Sequence, residues 1–197
     1  FMIDNGGGAD DVNEYTLSVG FDLASTVNHV DINSDGTGFS VGTQESNPTG
    51  IAFNNDGTKM FIVGTAGDDV NVYALSTGFD TSTATFNDIN GDGTGFDVST
   101  QTSAPIGIAF NSDGTKMFLS DKSDDDIDVY TLSTGFNLST ATFSGTSFDV
   151  EDQASSPQGI AFNNDGTKMF MIDNGGGADD VNEYTLSVGF DLTSTVN

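Results

Sequence analysis

Short apolar runs alternate with polar turns along the whole chain, and one such pattern recurs. Residues 50–61 read Gly-Ile-Ala-Phe, then Asn-Asn-Asp-Gly-Thr-Lys, then Met-Phe, and nearly the same letters return at 107–118 and 159–170. Asp-Gly between two apolar runs is a strong hairpin signal, because glycine accepts the positive φ that tight turns require. Each copy therefore predicts two antiparallel strands joined by a tight turn.

A third strand is predicted after each hairpin, beyond a loop rich in Gly and Asp. Its pattern is Val or Ile, then Tyr, then Leu, two or three positions apart, which places these side chains on one face of a half-buried strand. The four copies occupy 12–17, 70–75, 127–132 and 181–186. Each is followed by Ser-x-Gly-Phe, a turn that we expect to place an aromatic ring in the core.

A weaker Phe-x-Val pattern predicts a fourth strand in each unit. It occurs at 39–41, 96–98 and 148–150, shortly before the proline that opens the next unit. No helical period of useful length is present, and Gly, Asn, Asp and Ser interrupt the chain about every eight to twelve residues, as in all-β folds. The prediction is an all-β protein of the β-propeller type, built from four-stranded antiparallel blades.

Near-identical ends frame these repeats. Residues 1–28 and 170–197 differ only at Ala24 and Thr193, and the offset between them is 170 − 1 = 169 residues. Three units fill this period, so the chain holds about three and a half blades. The predicted divisions are a partial repeat at 1–46, repeats at 47–104 and 105–156, and a second partial repeat at 157–197.

Charge narrows the choice of partners and location. The chain carries 30 acidic residues against 4 basic ones, all of them lysines, for a formal net charge of -26. Phosphate binding requires clustered Lys or Arg, so nucleic acid is excluded as a partner. Such an excess of carboxylates repels itself unless salt or bound cations compensate it. We therefore expect a saline or calcium-containing medium, that is, an extracellular location or a cell or virion surface.

Two further classes of feature are missing from the sequence. It has no cysteine, so no disulfide or thiolate metal site enters the argument. No apolar run approaches the roughly 18 residues of a membrane span. We therefore expect no membrane-spanning segment in these residues.

The motifs resemble a known group of repeats. The run Pro-x-Gly-Ile-Ala-Phe-Asn-x-Asp-Gly-Thr-Lys-Met-Phe, followed by Val-x-x-Tyr-x-Leu-Ser, resembles the blades of lactonase-like and NHL-like β-propellers. It is also similar to tandem repeats of large secreted or surface proteins of aquatic bacteria and their phages. The resemblance covers essentially the whole chain and implies blades, but it implies no particular activity.

A lactonase would need Glu, Asp or His ligands that converge on a central channel. The sole histidine, His29, instead takes the position that Phe86 and Phe143 hold in other units. We interpret it as a substitution at an exposed edge. No Gly-x-Ser-x-Gly motif is present, and nothing in the sequence orients this histidine for nucleophilic catalysis.

Two acidic insertions match the pattern Asp-x-Asn-x-Asp-Gly. Their candidate metal ligands are Asp31, Asn33, Asp35, Asp88, Asn90 and Asp92. In EF-hand or dockerin-type loops this spacing places three hard oxygen donors around one Ca²⁺, while glycine permits the sharp bend. The twelfth position, however, is Gly42 or Ser99 instead of a bidentate Glu. Calcium sites and plain acidic loops are therefore both open at this point.

Three functions are compatible with the repeats. The favoured one is a non-catalytic, extracellular structural or adhesive module in which calcium or salt supports the acidic loops. The alternatives are a ligand- or glycan-binding propeller and a lactonase-like hydrolase. Enzymes usually break repeat symmetry at the active site, so the near-identical repeats predict that this chain is not an enzyme.

The number of blades predicts assembly. Closed propellers have about four to eight blades, so three and a half cannot close a ring alone. Apolar faces and unpaired strand edges would be left at the ends, and both favour association. We therefore predict either that these residues are part of a longer tandem array, or that the chain self-associates through its interchangeable ends into a ring or a filament.

Overall fold

The computed structural model describes residues 1–6, 9–32, 34, 36–175 and 180–197, and these residues form an all-β protein. The strands fall into four groups, which we number as blades in chain order. Blade 1 contains β1 (Met2–Gly6), β2 (Ala9–Asn13), β3 (Tyr15–Leu17), β4 (Val27–His29) and β5 (Phe39–Ser40). Blade 2 contains β6 (Pro48–Phe53), β7 (Lys59–Gly64), β8 (Asp69–Leu75), β9 (Ala84–Phe86) and β10 (Phe96–Asp97).

The second half of the chain continues the same plan. Blade 3 contains β11 (Pro105–Phe110), β12 (Lys116–Asp121), β13 (Asp126–Leu132) and β14 (Ala141–Asp149). Blade 4 contains β15 (Pro157–Phe162), β16 (Lys168–Asp173) and β17 (Val181–Thr185). Two short 3₁₀ turns, Thr81–Thr83 and Leu138–Thr140, interrupt the strands. Across the described ranges, no helix has the length and apolar character needed to cross a membrane.

Blade 3 is the complete four-stranded unit. Its order is β11-β12-β13-β14, and every neighbouring pair is antiparallel. Blade 2 has the same order, but its fourth strand is in two pieces, β9 and β10, which both pair with β8. The Asp-rich insertion at 87–95 separates the pieces, whereas the shorter loop around Gly145 leaves β14 continuous. The predicted fourth strand and the antiparallel all-β blade fold are therefore confirmed.

The first and last blades are partial. Among the described residues of blade 1 there is no strand equivalent to β6. The strands of blade 1 form one sheet in the order β1-β2-β5 and a separate pair, β3-β4. Blade 4 has the order β15-β16-β17 and, within the described residues, no strand equivalent to β14. A single bridge between Leu186 and Val196 lies beyond β17.

The Asp-Gly hairpin turns form as predicted. In blade 2, Asp56 Oδ1 accepts hydrogen bonds from the backbone N–H and the hydroxyl of Thr58, at 3.0 and 2.6 Å. Gly57 has a φ of 70°, and a Cβ there would fall 2.3 Å from the ring of Phe79. Phe79 itself has a φ of 60°, so the Gly-Phe turn lays its ring across the hairpin. Blade 1 has no such hairpin, and its counterpart Phe21 is fully exposed.

The third strands of blades 2 and 3 are buried on both faces, which corrects the prediction of a single buried face for these two blades. In β8, Val70 and Val72 pack toward blade 3, whereas Tyr73 and Leu75 pack toward blade 1. The reason is that each inner blade is covered on either side, so both faces of its sheet lie in a core. In the described part of the chain, one apolar cluster lies between each pair of successive blades.

An aromatic triplet recurs at each junction between blades. It joins one Phe at the strand equivalent to β7 with two Phe of the next blade. The triplets are Phe1 with Phe53 and Phe79, Phe61 with Phe110 and Phe136, and Phe118 with Phe162 and Phe190. In each, the two distances between ring centroids are 4.6 and 6.4 Å, within the range in which aromatic rings attract. The first member is fully buried in the two inner junctions.

Candidate functional site

The predicted calcium loop of blade 2 is closed by its own hydrogen bonds. Both carboxylate oxygens of Asp88 accept backbone N–H groups of the loop, at 2.6 to 3.3 Å. The Asn90 amide donates to the Gly95 carbonyl at 3.0 Å. Asp92 Oδ1 accepts the Thr94 hydroxyl at 2.7 Å, and this bond lowers the pKa of Asp92. Because these bonds already shape the loop, calcium binding by the three residues stays a prediction.

The corresponding residues of blade 1 are only partly described. Asn33 and Asp35 lie outside the described residues, and Asp31 is exposed. His29 is half-buried instead of lying at an exposed edge, and its ring centroid is 5.3 Å from that of Tyr15. It therefore packs on the tyrosine of its blade, as the phenylalanines at this position do in the other blades.

A cluster of carboxylates that the sequence analysis did not single out lies at one end of blade 3. β12 ends at Asp121 and β13 begins at Asp126, and the two residues pair across the hairpin. Asp128 follows two positions later, on the same face of β13. One carboxylate oxygen of each residue lies within 4.8 Å of those of the other two. We call Asp121, Asp126 and Asp128 the acidic cluster.

Protein groups satisfy the acidic cluster only in part. Asp121 Oδ1 accepts the backbone N–H and the hydroxyl of Ser123, and Asp128 Oδ1 accepts the Ser147 hydroxyl. A second oxygen of each of these two aspartates, and one of Asp126, is buried and has no donor. Asp121 and Asp128 are 0% and 1% exposed. Buried carboxylates in this condition need a positive partner or a proton.

The pKa values reflect the same crowding. Burial, followed by the charges of Asp128 and Asp121, raises the pKa of Asp126 to about 7. Burial also raises the pKa of Asp128, although the hydrogen bond from Ser147 opposes the change. The cluster therefore concentrates more negative charge than its surroundings stabilise.

A second candidate site is the outward face of blade 4, where no described blade follows. This open face consists of Lys168, Phe170, Ile172, Val181 and Glu183. Ile172 and Val181 are 51% and 67% exposed, and they line an apolar pocket of about 310 Å³ with residues of β15. Ile127, the blade 3 counterpart of Val181, is fully buried beneath blade 4. An exposed apolar face of this kind marks an interaction surface.

The lysine of the open face has a different partner from its counterparts. Lys59 and Lys116 each donate from Nζ to a backbone carbonyl of the next blade, at 2.7 Å. Lys168, in contrast, pairs with Glu183 on the open face itself. Both side chains of this pair are nearly half exposed, so the ion pair contributes little to stability.

The edge of blade 4 is incomplete as well. Tyr184 on β17 is buried, but its hydroxyl has no hydrogen-bond partner. The hydroxyls of Tyr73 and Tyr130, its counterparts, each donate to a glutamine side chain at 3.2 Å. A cleft of about 300 Å³ lies beside β17, where a fourth strand runs in blade 3. Blade 4 therefore has an uncovered face and an edge that is paired only at its C-terminal end, where Thr185 and Asn197 exchange two backbone hydrogen bonds.

Comparison with known proteins identifies the fold. No protein-family model and no curated protein match the sequence. Among solved structures, a candidate 6-phosphogluconolactonase from Bacteroides fragilis NCTC 9343 aligns with a TM-score of 0.53 at 16% identity, over 76% of this chain and 40% of that one. Its counterpart from Bacteroides uniformis ATCC 8492 gives 0.52 at 13% identity, over 76% and 39%. A luciferin-regenerating enzyme gives 0.51 at 14% identity, over 86% and 48%.

These neighbours confirm a β-propeller-type fold, present here as several antiparallel blades of a partial propeller. The chain spans less than half the length of each of the three structures. They also contradict the prediction that the chain is not an enzyme, because proteins named as lactonases share this fold. The fold therefore gives no ground for excluding catalysis. At these identities the likeness shows the fold alone and assigns no reaction to this chain.

Proposed function

We propose that this chain is a structural repeat unit of an extracellular assembly, in which the open face of blade 4 docks on blade 2 of a second copy. One observation carries the proposal: blade 4 presents the same residues with which blade 1 already contacts blade 2. Residues 170–197 repeat residues 1–28 with one difference, so Phe170 and Glu183 correspond to Phe1 and Glu14. A second copy therefore offers a surface that fits the open face.

The aromatic triplet is the first matching contact. Phe1 lies 4.6 Å from Phe53 and 6.4 Å from Phe79 between ring centroids, as in the two inner junctions. Phe170 is half-buried at the open face, where no described blade supplies such a pair. Blade 2 of a second copy would supply it, and burying the rest of this ring would contribute on the order of 1 to 2 kcal/mol.

Glu183 makes the docking specific for blade 2. Its counterpart Glu14 accepts hydrogen bonds from the backbone N–H and the hydroxyl of Thr81, at 2.9 and 2.8 Å. The equivalent positions at the other junctions are apolar: Val72 with Leu138, and Val129 with Leu192. Against either of these leucines, a buried Glu183 would lack a donor. Blade 2 is thus the surface with a matching partner.

Blade 4 also offers contacts that blade 1 lacks, which favours the exchange of one for the other. β15 has no counterpart in blade 1, whereas β11 lies against both β6 and β15 at the inner junctions. In the proposed complex β15 would lie against β6 of the second copy. Lys168 would donate to the Phe79 carbonyl of that copy, in the way that Lys59 and Lys116 use the next blade.

The second copy would supply the missing fourth strand too. In blade 1, β5 pairs with β2 through Phe39 and Val12, and Val181 is the counterpart of Val12. β5 of the second copy can therefore pair with the free edge of β17. His29 of that copy would then pack on Tyr184, as it packs on the tyrosine of blade 1. Pairing of this kind removes the exposed edge.

Two copies joined in this way would form a ring of six blades, because each contributes blades 2, 3 and 4. Closed propellers have about four to eight blades. The span of the solved structures supports this size, since the chain covers 48% or less of each. We place the assembly outside the cell or on a virion surface, where salt or calcium compensates the net charge of -26.

Light scattering and electron microscopy of the 197-residue chain test the proposal. We expect dimers that appear as six-bladed rings. Phe170→Asp should abolish them, because a charge would enter the aromatic triplet. Val188→Asp is the matched control: Val188 is also exposed but lies outside the open face, so its dimer should persist.

Three outcomes are decisive for this proposal. A compact monomer at every concentration would overturn it. Equal disruption by Val188→Asp would show that the open face is not the contact. Filaments that Phe170→Asp abolishes would support the docking and overturn the six-bladed ring.

A further inference from the structure

The acidic cluster of blade 3 stands where the other blades carry fewer carboxylates. The equivalent residues are Asp4, Asp11 and Asn13 in blade 1, Gly64, Asp69 and Asn71 in blade 2, and Asp173, Asp180 and Asn182 in blade 4. All three blades keep an asparagine where blade 3 has Asp128. At this position blade 3 therefore has a carboxylate, which only accepts hydrogen bonds when it is ionised, in place of an amide, which can also donate them.

In blade 2 the carboxylates of this corner have hydrogen-bond donors from the protein. The Asn71 amide donates to Asp69 Oδ1 at 2.5 Å, and the Gly95 N–H donates to Asp69 Oδ2 at 2.9 Å. Glu45 beside it accepts three backbone N–H groups, at 2.7 to 3.2 Å. Both carboxylates at this corner of blade 2, those of Asp69 and Glu45, therefore have hydrogen-bond donors from the protein.

Blade 3 moves one carboxylate away from those donors. A Cβ on Gly64 would fall 2.4 Å from Glu45 Cδ, so the two positions cannot both carry a carboxylate without rearrangement. Blade 3 has Thr102 in place of Glu45 and Asp121 in place of Gly64. The paired exchange removes a carboxylate from three backbone donors and adds one to the acidic cluster.

No protein cation within the described residues neutralises the cluster. The ion pair found among the described residues joins Lys168 and Glu183, which lie in blade 4 and not in the cluster. Lys59 and Lys116 are bound to backbone carbonyls, and Lys122 is exposed. Two cluster carboxylates are nonetheless almost completely buried, each with an oxygen that has no donor. Such groups need either a proton or a positive partner from outside the chain.

We propose that Asp121, Asp126 and Asp128 bind a calcium ion at this end of blade 3. Calcium takes six to eight hard oxygen ligands at about 2.3 to 2.6 Å, so two of its ligand oxygens lie at most about 5 Å apart. The three cluster oxygens fall within that span. Asp125, next to Asp126 in the chain, also has a buried Oδ1 without a donor.

The cation accounts for the substitutions that distinguish blade 3. It would neutralise the repulsion that, together with burial, raises the pKa of Asp126. It would also fix the end of the β12–β13 hairpin, because its ligands come from both strands. This site is separate from the open face of blade 4, so assembly and calcium binding can succeed or fail independently.

Calcium titration of the whole chain, followed by calorimetry and by thermal melts at constant sodium chloride, tests the site. The parent should bind one calcium equivalent at blade 3 with a Kd below about 1 mM, the weak end for extracellular modules, and its melting temperature should rise. Asp128→Asn restores the residue of the other three blades and should fold. We expect it to lose this equivalent and, without calcium, to melt at a higher temperature than the parent.

Asp88→Asn is the matched control, because it alters the loop that the sequence predicts as a calcium site. It should leave the blade 3 equivalent in place. Equal calcium uptake and equal stabilisation of the parent and Asp128→Asn would overturn the proposal. Loss of the equivalent in Asp88→Asn but not in Asp128→Asn would do the same. Magnesium that stabilises the parent at the same concentrations would overturn the choice of calcium.

Discussion

The outward faces of blades 3 and 4 share a lysine, a phenylalanine and a β-branched residue at equivalent positions, but in opposite surroundings. Phe118 and Ile127 of blade 3 are fully buried beneath blade 4. Their counterparts Phe170 and Val181 are half-buried and 67% exposed. Strand position and residue type are the same, so the neighbouring blade alone decides whether these side chains belong to a core.

The polar groups of the two faces differ for the same reason. Lys116 donates a hydrogen bond to a backbone carbonyl of the next blade, whereas Lys168 forms an ion pair with Glu183 of its own blade. The contrast shows that the outward face of a blade depends on the next blade for its burial and its hydrogen bonds. The last blade reveals which of these contacts the next blade provides.

Removing the aromatic ring should give the largest difference between the two faces. Phe118→Ala should cost about 3 to 5 kcal/mol of unfolding free energy, because it leaves a cavity in a closed core. Phe170→Ala should cost about 1 kcal/mol in dilute solution, since its ring is partly hydrated already. Denaturant melts of both variants measure the difference. Equal losses at low concentration would show that the open face is covered within the single chain.

Replacing the lysine should give the second largest difference in unfolding free energy between the two faces. Lys116→Met keeps the aliphatic stem but loses a charged donor to a carbonyl at the blade junction, which should cost about 1.5 kcal/mol. Lys168→Met removes an exposed ion pair and should cost less than about 1 kcal/mol. Melts at low and high salt separate the two, because salt screens the exposed pair. A larger loss for Lys168→Met would contradict the comparison.

Removing the hydroxyls of Tyr130 and Tyr184 should change the free energy of unfolding by amounts that differ in sign as well as in size. Tyr130→Phe removes a hydrogen bond to Gln101 and should cost about 1 kcal/mol. Tyr184→Phe removes a buried hydroxyl without a partner, so it should be neutral or slightly stabilising. Thermal melts of the isolated chain provide the measurement. A clear destabilisation by Tyr184→Phe would mean that its hydroxyl has a partner in solution.

Local features of the fold were accessible from the sequence, because short-range chemistry determines them. The Asp-Gly hairpins follow from residues two positions apart, such as Asp56 and Thr58. The fourth strand was predicted from Phe-x-Val, but its continuity in blade 3 depends on the length of the loop around Gly145. Burial of both faces of β8 could not be predicted from one strand, because the second face is covered by another blade.

The acidic cluster was not predicted from the sequence, because it too depends on contacts between residues on different strands. Residues 123–128 read Ser-Asp-Asp-Asp-Ile-Asp, a run typical of a solvated loop. Strand pairing brings Asp121 opposite Asp126, and the strand period then places Asp128 on the same face. Comparison of Gly64 with Asp121 across the repeats is the signal that could have revealed it. The predicted loop of blade 2, in contrast, matched a local motif in which the Asp88 oxygens accept hydrogen bonds from the loop's own backbone.

The turn aspartates should show no difference between the covered and the open blade. Asp113 in blade 3 and Asp165 in blade 4 each accept the N–H and the hydroxyl of the threonine two residues on, and the hydroxyl bond lowers the pKa of both. A pKa lowered in the fold means that the ionised form stabilises it. That stabilisation is complete above the ordinary value of 3.8 and is lost as the pH falls through the lowered value.

Asp113→Asn and Asp165→Asn should therefore remove equal, small parts of the acid sensitivity. Between about pH 5 and pH 2 the melting temperature of the parent should fall more steeply than that of either variant, because only the parent loses both ionised carboxylates. The two variants should match because each turn is closed by bonds within one hairpin, at the same 3.0 Å from N–H to carboxylate. Thermal melts across this range check the match. A greater loss for Asp113→Asn would show that the covering blade stabilises the turn, and would extend the influence of the neighbour beyond the apolar face.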